Sequence, residues 1–94
     1  MPKAHRQGDN RFCGATTIVS GQSTVYVNGK LWAVEGDKET HERGDLICVG
    51  SKTVFIEGKA VITAVKDIAA PDILGHPTGP TNPASGSGDT FAYG

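Results

Sequence analysis

The 94-residue sequence has few of the residues from which small proteins usually build their stability. Only 37% of its residues are hydrophobic and 6% aromatic, whereas thirteen are glycine, so the core is expected to be thin. Two cysteines are too few for a disulfide framework. A single bridge between Cys13 and Cys48 is compatible with the sequence, but Cys48 lies in an apolar stretch and is interpreted as a buried core thiol. Small chains with so little to bury usually need a metal or a partner.

The chain also lacks clustered positive charge and long apolar runs. Its nine Lys and Arg residues are scattered and its formal net charge is −1, which gives no electrostatic footprint for nucleic acid. The first nine residues, MPKAHRQGD, contain no apolar segment, and no run approaches the roughly 18 apolar residues of a membrane span. We therefore expect no nucleic-acid partner, no signal peptide and no stable membrane insertion.

What the chain does contain is one ten-residue phrase in three copies, at residues 20–29, 49–58 and 85–94. Each copy has a glycine eight residues before its closing glycine and a strand-like run between the two. In the first two copies Asn28-Gly29 and Glu57-Gly58 have the character of hairpin turns. The pattern predicts a single all-β domain over residues 1–94, built from three β-hairpin repeats related by pseudo-threefold symmetry.

Little helix is expected between these repeats. No segment has a convincing helical period, and one short helical turn near residues 67–70 is the most that the pattern allows. Residues 75–88 are rich in Pro, Gly and Ser, but because the third copy of the phrase follows them, we expect an ordered loop.

One soft metal ligand precedes each copy by a similar distance: Cys13, His41 and His76. The first two follow an aspartate by four residues, Asp9 and Asp37, and the third follows Asp67 by nine. Thiolate and imidazole suit zinc, and three or four such ligands close a structural site. The alternative is that Cys13 is an ordinary turn thiol and the two histidines are surface residues. Asp9 and Asp37 either cap turns or orient ligands.

The strings TVYVNGK and TVFIEGK, each leading into a returning strand, resemble those of the PAAR-repeat proteins over essentially the whole chain. The Pro-Ala-Ala-Arg run of that family is degraded here to KAHR at residues 3–6 and WAVE at residues 32–35. The wording QSTVYVNGKLWAVE is similar to the spike-tip proteins of T4-like contractile-tailed phages.

This resemblance implies a small cone with a zinc site near its apex, with iron as the alternative metal. It implies a monomer that caps a trimeric β-helical spike, namely the central spike of a phage tail baseplate in the virion. The alternative is a tip or effector adaptor on a VgrG-type spike of a type VI secretion system, cytoplasmic until injected.

The fourth ligand is open at this point. Family members often place a cysteine three residues before the histidine of the second loop, where this chain has Lys38. The sequence leaves His5, which would give the three-histidine, one-cysteine set that the family also uses, or Cys48, or a water molecule, or no fourth ligand. We expect the metal set Cys13, His41, His76 and His5.

Partner contacts are expected from aromatic residues near the hairpin ends and on the returning strands: Tyr26, Trp32 and Tyr93. Phe55 belongs to the same region but is expected to fill the thin core. A competing function is hydrolysis, in which three protein ligands leave a zinc-bound water and Glu39 or Glu42 acts as the base. The chain has no HExxH spacing and little room for a cleft, so we expect a structural protein and not an enzyme.

Overall fold

The computed structural model describes residues 3–49, 54–88 and 90, and all the regular secondary structure in these ranges is β. The eight strands have two residues each and are β1 (Thr17–Ile18), β2 (Tyr26–Val27), β3 (Lys30–Leu31), β4 (Lys38–Glu39), β5 (Leu46–Ile47), β6 (Phe55–Ile56), β7 (Lys59–Ala60) and β8 (Ile68–Ala69). They form four antiparallel pairs, β1 with β4, β2 with β3, β5 with β8 and β6 with β7. The all-β prediction is confirmed for this part of the chain.

Two of the four pairs are the predicted hairpins. In the β2–β3 hairpin Asn28 and Gly29 have φ of 53° and 80°, and in the β6–β7 hairpin Glu57 and Gly58 have φ of 52° and 81°. Two successive residues at positive φ are typical of a type I′ turn, whose twist matches that of the flanking strands. The predicted strand of the third copy lies outside the described residues except for Thr90, and so does Tyr93.

The other two pairs connect different loops of the chain. We define loop 1 as residues 10–16, loop 2 as residues 40–45 and loop 3 as residues 70–82. Strand β1 follows loop 1 and pairs with β4, which precedes loop 2; β5 follows loop 2 and pairs with β8, which precedes loop 3. After loop 3, Pro83 bridges back to Arg11 in loop 1. The helical turn allowed near residues 67–70 is therefore wrong, because Ile68–Ala69 is strand β8.

A closed circle of backbone hydrogen bonds lies at the centre of the described structure. The amide of His5 donates to the carbonyl of Ile62 (3.0 Å), that of Ile62 to Ala33 (2.9 Å), and that of Ala33 back to His5 (2.8 Å). All three residues are fully buried, so these bonds satisfy backbone groups that water cannot reach. Three distant stretches of sequence therefore meet around one point.

The apolar core consists of two small clusters of buried side chains. The first contains Val19, Ala33, Leu46, Cys48, Ala60, Ile62 and Ala69, and the second contains Val34, Ile56 and Val61. Cys48 is buried in the first cluster and its thiol donates to the carbonyl of Val61, as expected for a core thiol; no disulfide joins it to Cys13. Three of the seven residues in the first cluster are alanine, and the second cluster has only three members, which confirms that the core is thin.

The aspartates after the returning strands cap turns. Asp37 accepts hydrogen bonds from the amides of Ser20, Gly21 and Val34, and Asp67 accepts from those of Val49 and Thr63. Asp9 accepts from the Arg6 amide and pairs with the Arg6 side chain. Each carboxylate accepts from an amide three or four residues before it, which favours the capping role over ligand orientation.

The aromatic residues differ from expectation in two places. Tyr26 is 60% exposed on β2, but Phe55 is 56% exposed on β6, so the prediction that Phe55 fills the core is wrong. Trp32 is half-buried against the second core cluster, and its Nε1 donates to the carbonyl of Ile62 at 3.0 Å. Because part of Trp32 is needed for packing, less of its surface remains for a partner than the sequence suggested.

Candidate metal centre

Four potential metal ligands from the three loops lie close together: Cys13 from loop 1, His41 from loop 2, and Asp72 and His76 from loop 3. One donor atom of each lies within 4.8 Å of the others. We call these four residues the ligand group. The structure thus brings together Cys13, His41 and His76, which are separated by 28 and 35 positions in the sequence. It adds Asp72, which the sequence analysis did not consider.

The spacing within the ligand group is close to that of a tetrahedral site. The Cys13 Sγ atom lies 3.8 Å from Nδ1 of His41 and 3.9 Å from Oδ2 of Asp72. Ligands about 2.0–2.3 Å from a tetrahedral zinc are separated by roughly 3.3–3.7 Å. Oδ2 of Asp72 lies 3.2 Å from Nδ1 of His41 and 2.7 Å from Nδ1 of His76, a hydrogen-bond distance that would lengthen if both atoms bound one ion.

Loop 3 holds Asp72 so that its two carboxylate oxygens have different partners. Oδ1 accepts hydrogen bonds from the amides of Leu74 and His76, both at 3.0 Å, and so closes a tight turn over residues 72–76. Oδ2 points to the two imidazoles. The Asp72 side chain is fully buried, whereas those of His41 and His76 are 26% and 37% exposed. The carboxylate is thus oriented as a one-oxygen ligand that an ion from solution can reach.

Loop 2 positions His41 by an unusual run of backbone conformations. Glu42, Arg43 and Gly44 all have positive φ, at 65°, 58° and 70°. The Glu39 amide donates to the carbonyl of Arg43, and this bond joins the two sides of the turn that contains His41. Glycine is favoured at position 44, because φ is positive there and a Cβ atom would lie 2.7 Å from the carboxyl carbon of the buried Glu39, which would have to move.

The Glu39 carboxylate lies behind the ligand group and is buried. Its Oε2 is 3.2 Å from the guanidinium of Arg11 and 3.8 Å from Cys13 Sγ, while Oε1 has no hydrogen-bond partner among the described residues. Burial and the neighbouring Asp72 carboxylate raise the pKa of Glu39 to about 7 against the opposing effect of Arg11. From the sequence alone, Glu39 is a candidate only for the catalytic base of the competing hydrolytic function.

The electrostatics of the metal-free group favour a neutral thiol beside a charged carboxylate. Burial raises the pKa of the Cys13 thiol, and the carboxylates of Glu39 and Asp72 act in the same direction. Burial alone would raise the pKa of Asp72, but its interactions with the neighbouring Glu39, His76 and His41 side chains hold it well below its usual range. Metal binding at this group would therefore release the proton of Cys13 and relieve the repulsion between neighbouring anions.

His5, expected as the fourth ligand, is not part of the ligand group. It is fully buried, its Nδ1 lies 2.7 Å from the carbonyl oxygen of Ser85, and its Nε2 contacts the hydroxyl of Thr17. Since a carbonyl only accepts, Nδ1 donates, and Nε2 accepts from Thr17. Burial also lowers the pKa of His5 to about 4, so the ring is neutral. Both nitrogens are already used, and Asp72 occupies the place predicted for His5.

A sequence signal for Asp72 was present. Asp72 precedes His76 by four residues, the separation found between Asp9 and Cys13 and between Asp37 and His41. It lies among the extra residues that lengthen the third loop. Asp67 was matched with Asp9 and Asp37 because it follows a returning strand, so Asp72 was not assigned a role. The four-residue separation between aspartate and ligand nevertheless recurs in loop 3, between Asp72 and His76.

Sequence comparisons do not identify this arrangement. No protein-family model matches the chain, and no curated protein is significantly similar to it.

The ligand group can hold one metal ion by its own chemistry. Two imidazoles, one thiolate and one carboxylate form a four-donor set that suits zinc, and with a divalent ion the two anionic ligands balance the charge.

In the described ranges no helix is long and apolar enough to cross a membrane.

Proposed function

We propose that this chain is a metal-stabilised tip protein of the PAAR type, which caps the trimeric β-helical spike of a contractile injection machine. The observation that carries the proposal is the ligand group, in which one residue or more from each of three loops converges on one point. The loops are those that the repeats in the sequence predicted, each placed before one copy of the ten-residue phrase.

The backbone supports the pseudo-threefold arrangement that this function requires. The hydrogen bonds among His5, Ile62 and Ala33 run in one direction around a closed circle. The three loops are also linked in a circle, through β1–β4, β5–β8 and the bridge between Arg11 and Pro83. A single chain built in this way can present three similar surfaces to a trimer, so one tip caps one spike. The proposed overall shape is a cone with the ligand group near its apex.

The metal has a mechanical role in this proposal. Buried side chains near the ligand group are mostly polar, including Arg11, Glu39 and Thr81, whereas both apolar clusters consist of residues outside the three loops. Zinc bound to a site that exists only in the folded state adds its binding energy to folding, about 10 kcal/mol or more in small zinc domains. The ion thus replaces an apolar core where the loops meet. Four protein donors leave no open position for a water, which favours a structural over a hydrolytic site.

Two exposed aromatic residues are suited to the spike contact. Tyr26 and Phe55 occupy the same position in TVYVNGK and TVFIEGK, and both are more than half exposed on hairpins that carry no member of the ligand group. Large exposed aromatic side chains on equivalent hairpins are typical of contact residues. The proposed contact set is therefore Tyr26 and Phe55, together with the exposed part of Trp32 and with Tyr93 from the sequence prediction.

The proposal is tested by mixing the zinc-loaded chain with trimeric β-helical spike proteins encoded in the same genome. Native mass spectrometry should detect one chain per spike trimer. A complex with a baseplate spike indicates a phage tip in the virion, and a complex with a VgrG-type spike indicates a secretion tip. The proposal fails if neither spike binds or if three chains bind each trimer.

A further inference from the structure

The largest fully buried side chain of the described structure is that of Arg11, two residues before the ligand Cys13. Its side chain has no exposed surface. A buried charge is costly unless it is paired and fully hydrogen-bonded, and an apolar side chain of similar size would fill the space without that cost. The contacts of Arg11 indicate what its charge contributes.

The Arg11 guanidinium contacts both of the other ligand loops. Its Nη1 lies 2.8 Å from the carbonyl oxygen of Gly44 in loop 2 and 2.9 Å from that of Thr81 in loop 3. Nη2 donates to the carbonyl of Lys38 at 3.3 Å, just before loop 2. Since Arg11 itself belongs to loop 1, one planar group connects all three loops that supply the ligand group.

Two further contacts fix the guanidinium and connect it to the metal ligands. Nε donates to the hydroxyl oxygen of Thr17 at 2.7 Å, and Nη1 pairs with Oε2 of Glu39 at 3.2 Å. The same Glu39 oxygen lies 3.8 Å from Cys13 Sγ. Arg11 thus bonds the other two loops and the carboxylate that lies next to the thiol.

We propose that Arg11 is a positioning residue that sets the spacing of the three loops before the metal binds. Its hydrogen bonds hold Cys13, His41 and His76 near their final positions, so the ion does not have to order the loops. Lysine cannot replace it, because the donors of an ammonium lie on one nitrogen and cannot also reach the Thr17 hydroxyl and the Lys38 carbonyl, which the guanidinium bonds through Nε and Nη2. This inference rests on the metal role of the ligand group proposed above and does not depend on the spike.

The test measures zinc affinity, by competition with a chromophoric chelator, at a temperature where circular dichroism shows every variant folded. Arg11→Lys should weaken zinc binding by about tenfold to a hundredfold, the range found when groups that orient metal ligands are removed. In the cobalt-loaded variant, the absorption bands of a tetrahedral thiolate site should shift or weaken. The control is Ile62→Val, which lowers stability in the core away from the loops and should change zinc affinity less than twofold.

A second variant keeps the test valid if Arg11→Lys folds poorly. The double variant Arg11→Met with Glu39→Met replaces the buried ion pair by apolar side chains, an exchange that often preserves stability. We expect this double variant to fold. Its zinc affinity should nevertheless be at least tenfold lower than that of the unmodified chain, because the carbonyls of Gly44 and Thr81 lose their common donor. Normal zinc affinity in either variant would overturn the positioning role. Absence of zinc binding by the unmodified chain would instead overturn the proposed metal centre, and this inference with it.

Discussion

The two buried regions of this protein are stabilised in opposite ways. In the apolar clusters, Ile62, Val34 and Val61 are fully buried and need no polar partner. Where the three loops meet, Arg11 and Glu39 are buried as an ion pair beside the ligand group. Apolar burial needs only shape and volume, whereas buried charge needs partners for every polar atom. The loop region therefore depends on a few directional contacts, to which the proposed metal would add its own bonds, and the core does not.

Removing the metal should have the largest effect on stability, and this effect should come from the region where the three loops meet. We expect the zinc-loaded chain to lose several kcal/mol of unfolding free energy when a chelator extracts the ion, because the ligand group then contributes no metal bonds. Differential scanning calorimetry with and without chelator measures the change. The double variant Cys13→Ser with His41→Ala should melt, with or without chelator, at the temperature at which the unmodified chain melts after the metal has been extracted. An unmodified chain whose melting temperature is the same with and without chelator would contradict the account.

A cavity in the apolar core should act on the other region alone. Ile62→Ala removes three buried carbons and should lower the free energy of unfolding by about 2–4 kcal/mol, with or without zinc. Denaturant titrations of both forms measure this loss. If the zinc affinity of the folded variant fell tenfold as well, the two regions would not be separable in the way described.

His5 lies between the two regions, and its burial predicts a pH dependence. Because its folded pKa of about 4 is below the ordinary histidine value of 6.5, the unfolded chain takes up a proton more readily. Stability from this residue is present above about pH 6.5 and falls as the pH drops toward 4, by on the order of 3 kcal/mol.

The comparison of unmodified chain with His5→Gln isolates that contribution, because glutamine can also donate to Ser85 and accept from Thr17. Both metal-free proteins are unfolded by urea at pH 7 and pH 4.5. The variant should lose less stability between the two pH values, and it should still bind one zinc. Loss of zinc by this variant would restore His5 as a ligand.

The smallest effect on stability is expected at the exposed aromatics. Tyr26→Ser and Phe55→Ser should change the free energy of unfolding by less than about 0.5 kcal/mol, since both side chains are mainly in solvent. If these residues contact the spike, either change should weaken that complex, whereas the exposed Val65→Ser should not. Binding unaffected by both aromatic changes would place the spike contact elsewhere.

The sequence predicted the parts of this protein that follow from local chemistry. Asn28-Gly29 and Glu57-Gly58 identified the hairpins, because few turns other than type I′ suit two strands joined in this way. The repeat spacing predicted that Cys13, His41 and His76 would come together. It also held the information that Phe55 is exposed, since Phe55 is equivalent to Tyr26 and alternates with the buried Ile56.

The parts that the sequence did not predict depend on tertiary contacts. Arginine is seldom fully buried, so nothing in the sequence distinguishes Arg11 from the eight other basic residues. His5 looked like an available ligand, and only the fold places Ser85 and Thr17 on its two nitrogens. Asp72 lies in loop residues whose role depends on how the chain turns between β8 and His76.

We propose that the ligand group holds one metal ion through Cys13, His41, Asp72 and His76. The most direct test is X-ray absorption spectroscopy on the zinc-loaded chain, after elemental analysis has established the metal content. The account predicts one zinc with one sulfur, two imidazoles resolved by their multiple scattering, and one carboxylate oxygen that is lost in Asp72→Ala. Three imidazoles would return His5 to the site, and a chain that binds no metal would contradict the account.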